Sequence, residues 1–149
     1  MSKKLALLIP IILLLGVVAL LLFNSSYQKS IHANYLLFQE EYDEALRIAK
    51  ESHALDPYNK MAKNVITKAS AHKAYSSYIA LSEEYLDKII AIANKSPITP
   101  SERTEAKLMS EVIIARYEIL TKAHHIEGEQ KDRARELYMK FKEIYENAF

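Results

Sequence analysis

His124, His125 and Glu127 form the one cluster in this sequence with metal-ligand character. Adjacent residues on a helix point about 100° apart, so two neighbouring histidines do not converge on one ion. A zinc site also needs a third and usually a fourth ligand. His32, His53 and His72 are scattered, and the chain has no cysteine. The cluster therefore reads as solvated residues at a helix end. Glu40-Glu41 and Glu83-Glu84 are neighbours rather than facing carboxylates, so they read as helix surface and not as an acid–base pair. No Ser-His-Asp spacing occurs, and with Gly16 and Gly128 as the only glycines no phosphate-cradling loop can be built. The expectation is a chain without catalytic residues, cofactor or metal, and hence not an enzyme.

Composition dictates what must position any functional side chain. Two glycines and four prolines in 149 residues are too few for the turns of a β-rich domain, so the fold class is all-α. The net charge is +1, and Lys3 and Lys4 precede the first apolar run. With those two set aside the rest is near neutral, which argues against a nucleic-acid partner. The absence of cysteine excludes disulfides but fixes no compartment.

Leu5 to Phe23 is an unbroken apolar run containing Pro10 and Gly16. As a helix it would extend roughly 28 Å, close to the hydrocarbon thickness of a bilayer. The expectation is an uncleaved transmembrane anchor over 5–23. The competing reading is a cleaved signal peptide, whose shorter apolar stretch ends in small residues. Here the run ends in Leu20, Leu21, Leu22 and Phe23. Lys3 and Lys4 would keep residues 1–4 cytoplasmic, placing 24–149 in the periplasm or another extracytoplasmic space.

Behind the run the pattern is helical throughout. A first segment, about Ser26 to Gln39, sets Ile31, Tyr35 and Phe38 on one stripe. A second, about Tyr42 to Leu55, sets Tyr42, Ala45, Leu46 and Ala49 at helical spacing and stops at Asp56-Pro57, because the residue before proline avoids the α region. The stretch 59–94 lacks Gly and Pro and is either one helix or two joined by a kink. Thr99-Pro100-Ser101-Glu102 reads as a capping box that opens a helix over 100–123, with Met109, Val112, Ile113, Ile119 and Leu120 inward. After Gly128 a last helix over 130–148 repeats Ala134, Leu137, Tyr138, Phe141, Ile144 and Tyr145, a narrow apolar seam. Short connections make antiparallel hairpins.

Tyr42, Ala45, Ala49, Ser52, Leu55 and Pro57 fall at the spacings of a tetratricopeptide (TPR) second helix and its exit turn. Small residues there let the two helices of a hairpin approach closely. Ala33 and Leu36 match the first helix, whereas Lys29 and His32 replace the usual Trp and Leu, and Glu40 replaces the frequent turn glycine. The stretch of about 26–59 thus resembles one degenerate repeat. Ala134, Tyr138 and Phe141 make a weak second echo.

The resemblance implies partner binding by the concave face, lined by first helices. Here those positions are Tyr27, Ser30, Asn34, Leu37 and Phe38. The expected function is a membrane-anchored adaptor or scaffold for protein partners. The alternative is a structural subunit of a larger envelope assembly, homo- or hetero-oligomeric, that uses the last helix's seam against a neighbour. Tyr75, Tyr78 and Tyr85 recur at helical spacing and are either core edges or a docking stripe.

Overall fold

A computed structural model describes residues 9–18 and 24–148. Among them every regular element is helical. Residues 9–18 form one stretch, followed by α1 (Ser25–Phe38), α2 (Tyr42–Leu55), α3 (Lys60–Ala93), α4 (Pro100–Ala123) and α5 (Glu129–Ala148). The chain divides into two compact units, Met1–Ser70 and Ala71–Phe149, and the boundary falls inside α3. Within the stretch 59–94, Lys60–Ala93 form one continuous helix of 34 residues, not two.

The expected transmembrane anchor over 5–23 is not supported. Among the described residues no helix is long and apolar enough to cross a membrane. Of the run Leu5 to Phe23, the described residues are 9–18, and they are helical. The single-pass membrane localisation built on that anchor loses its support with it. Residues 1–8 and 19–23, which include Lys3, Lys4 and the ends of the run, lie outside the described residues.

In the first unit four helix boundaries have a chemical cause. Asn24 caps α1, its Oδ1 accepting from the Ser26 and Tyr27 amides at 3.0 and 3.3 Å. The α1 end is a Schellman motif: the Glu41 amide donates to the Leu36 carbonyl and the Glu40 amide to that of Leu37. Such a motif needs one left-handed residue, and Glu40 supplies it with φ 62°. Asp56, extended before Pro57, ends α2. Asn59 opens α3, its Oδ1 accepting from the Met61 and Ala62 amides at 3.0 and 3.1 Å. Ala33 and Leu36 of α1, Ala45, Ile48 and Ala49 of α2, and Val65 and Ala69 of α3 make the core. Four of these seven are alanines, so burial is achieved by close backbone approach more than by side-chain bulk.

In the second unit the capping box forms as its sequence requires. Thr99 Oγ1 accepts from the Glu102 amide, and the Glu102 carboxylate accepts from the Thr99 amide at 2.9 Å. The core joins Tyr75, Tyr78, Ile89 and Ile92 of α3, Met109, Ile113 and Leu120 of α4, and Ala134 and Phe141 of α5. Two of the residues expected inward on α4 are not: Val112 is 38% exposed and Ile119 66%. The helix carries apolar residues on two faces, and only one of them meets α3 and α5.

Candidate protein-docking surface

Helix α1 separates its residues by face. Ser26, Ser30, Ala33 and Leu36 are buried against α2 and α3. On the opposite side Ile31, Tyr35 and Phe38 recur at intervals of four and three residues, and Phe38 is 82% exposed. Tyr27 and Asn34 lie on that same side, half-buried and exposed respectively. The result is a ridge of two tyrosines, an isoleucine, a phenylalanine and one amide.

The ridge is held by a rigid support. Ser26 Oγ donates to the Ser52 carbonyl at 2.9 Å, and Ser52 Oγ donates to the Ser26 carbonyl at 2.6 Å. Asn59 Nδ2 reaches the hydroxyls of Ser26, Ser30 and Ser52 at 2.9, 3.2 and 3.3 Å. All four side chains are buried, and one amide thereby ties the starts of α1 and α3 to the end of α2. At the edge of the pair Lys29 Nζ meets Glu51 at 2.5 Å, and this ammonium holds the Glu51 carboxyl below its ordinary range.

Of the five positions implied by the family resemblance, Tyr27, Asn34 and Phe38 come together on the ridge. Ser30 does not: it is fully buried, and its hydroxyl donates to the Tyr27 carbonyl at 3.0 Å. Leu37 packs partly against the core. Ile31 and Tyr35 were missed as surface candidates, although their spacing to Phe38 was legible. That spacing gives one face of a helix without saying whether the face points in or out.

Elsewhere the site chemistry is plain. Among the described residues no three His, Cys, Asp or Glu side chains converge as metal ligands. His124 terminates α4 as its C-cap. Tyr75 and Tyr78 are core residues, and burial pushes the Tyr78 phenol up to about 12. Tyr117 stacks on Tyr138 with centroids 4.4 Å apart. Of the α5 seam, Ala134, Leu137 and Phe141 are fully buried, and Tyr138, Ile144 and Tyr145 are half-buried.

Comparison with protein-family models, with curated proteins and with solved structures finds no match for this chain.

Proposed function

We propose that this chain is an interaction module, a helical adaptor that docks a protein partner on the outer face of α1. The observation that carries the reading is the joint exposure of Ile31, Tyr35 and Phe38 on one ridge. Aromatic residues that are large, stiff and half polar dominate protein interfaces, and a contiguous apolar ridge is costly to leave in water. The small-residue packing of Ala33 against Ala45 and Ala49 supports a TPR-like hairpin beneath it. The module works by presenting a surface and has no chemical step of its own.

In-cell crosslinking of the full chain, followed by mass spectrometry, tests this. The double variant Tyr35→Ala/Phe38→Ala should lose the partners captured by the natural sequence while melting at the same temperature. Met139→Ala, which truncates another half-exposed apolar side chain, should keep them. An unchanged partner set in the double variant overturns the reading. The alternative, a structural subunit, draws on a second exposed stripe, on α4.

A further inference from the structure

The outer face of α4 carries Leu108, Val112, Ala115 and Ile119 at intervals of four, three and four residues. All four are exposed, Leu108 at 56% and Ile119 at 66%. The opposite face already fills the core through Ala106, Met109 and Ile113. That alternation is the interval of a helix–helix seam. Two clefts of about 430 Å³ adjoin it, one lined by Tyr85 and Val112 and the other by Tyr78 and Ile119. The second unit is thus a three-helix bundle with an open place for a further helix.

We infer that the place is taken by a second copy of this chain, with α4 packing antiparallel on α4. The order of the seam selects that occupant. About a two-fold axis between Val112 and Ala115, Leu108 meets Ile119 of the second copy and Val112 meets its Ala115. Large residues then pair at the ends and small ones at the centre, where the backbones approach. The next seam positions outward are Glu105 and Lys122, which the same axis sets against each other twice. Within its own chain the Glu105 carboxylate also attracts the Lys88 and Lys95 ammonium groups, both of which are more closely paired to other carboxylates, Glu84 and Glu102. A parallel pair would set Glu105 against Glu105 and Lys122 against Lys122, so the charges choose the antiparallel arrangement. The contact is isologous and closes at two copies.

The chain has no cysteine, which makes the geometry directly testable. On one α4 the positions 105 and 122 are about 25 Å apart along the axis, far beyond the reach of a disulfide, about 7 Å between Cα atoms. Glu105→Cys/Lys122→Cys in the full chain should therefore yield a disulfide-linked dimer under mild oxidation, while either single variant should not. Single variants that crosslink as well as the double one mean parallel or indiscriminate association and overturn the proposal. A double variant that does not crosslink overturns it too and assigns the stripe to a different protein. Independently of any thiol, Glu105→Lys and Lys122→Glu should each lower the dimer fraction at least several-fold in sedimentation. The combined reversal should restore it. Failure of these tests leaves the α1 ridge and its partner untouched.

Discussion

Ser26 and Ser52, 26 residues apart, exchange hydrogen bonds, each hydroxyl donating to the other's backbone carbonyl. Serine in a helix commonly donates to a carbonyl of its own helix. Here the two donations cross between α1 and α2 and lock their relative height. With Ser30 donating to Tyr27, all three hydroxyl protons are committed, and only lone pairs remain for Asn59 Nδ2. The Asn59 amide orientation is therefore unambiguous, since its oxygen faces two amide donors.

Asn59→Ala should cost about 2 to 4 kcal/mol, because it removes the α3 cap and leaves three buried hydroxyl acceptors without a donor. Asn59→Asp keeps the cap but offers acceptors to acceptors and buries a charge. It should be at least as damaging at neutral pH and partly relieved by acidification, since burial raises a carboxyl pKa and the neutral form is tolerated. Urea melts at pH 7 and near pH 4 would show both. A neutral Asn59→Ala would mean that the network does not hold the hairpin.

Glu40 sits at φ 62°, a region that costs a side-chain-bearing residue about 1 kcal/mol and glycine almost nothing. Glu40→Gly relieves that cost but adds about 0.4 to 1 kcal/mol of unfolded-chain freedom, so it should be close to neutral, from about 0 to 0.6 kcal/mol stabilising. A loss of more than about 1 kcal/mol in that variant would show that the left-handed turn is not strained.

The parts of the fold legible in the sequence are those with local causes. The Thr99 capping box and the stop at Asp56-Pro57 are written in adjacent residues, and both stand where expected. The buried serine–asparagine network was not legible, because its members are far apart in sequence and helical serine is common on surfaces. Val112 and Ile119 show the limit of periodicity, since one spacing serves a core face and a docking seam equally. The division between units left no mark either, as it falls at Ser70 within a continuous helix with no Gly or Pro. On α1 the ridge was visible as a stripe, yet its outward orientation depends on Ala33 and Leu36 winning the contact with α2.

Glu102 gives a pH dependence with a definite sign. The Lys95 ammonium at 2.6 Å, with the Thr99 amide and hydroxyl, lowers its carboxyl to about 2, from an ordinary value of 4.5. A carboxyl whose folded pKa is depressed stabilises the fold above its ordinary value, and that contribution is lost as pH falls from there through about 2. Glu102→Gln should therefore melt lower than the natural chain at pH 7, and the two should converge as pH approaches 2. The gap should also narrow in high salt, since the Lys95 pair is surface-exposed. Parallel melting curves at every pH would remove the ion pair and capping box from the account of how α4 begins.

Phe141 separates core from interface on the last helix. It is fully buried, between Leu137 and the half-buried Ile144, and it joins a cluster that includes Ile89, Met109 and Ile113. Truncation to alanine removes a ring that the surrounding helices cannot close over. Phe141→Ala should cost about 3 to 5 kcal/mol. A unit of this size has only about 5 to 15 kcal/mol in all, so its melting temperature must fall visibly. On the same helix Met139 is 54% exposed, and Met139→Ala should change stability by no more than about 0.5 kcal/mol. If α5 were instead a docking face, Phe141→Ala would fold normally and lose only association. That outcome would reverse the assignment of the α5 seam to the core, and with it the argument that the free apolar face of the second unit lies on α4.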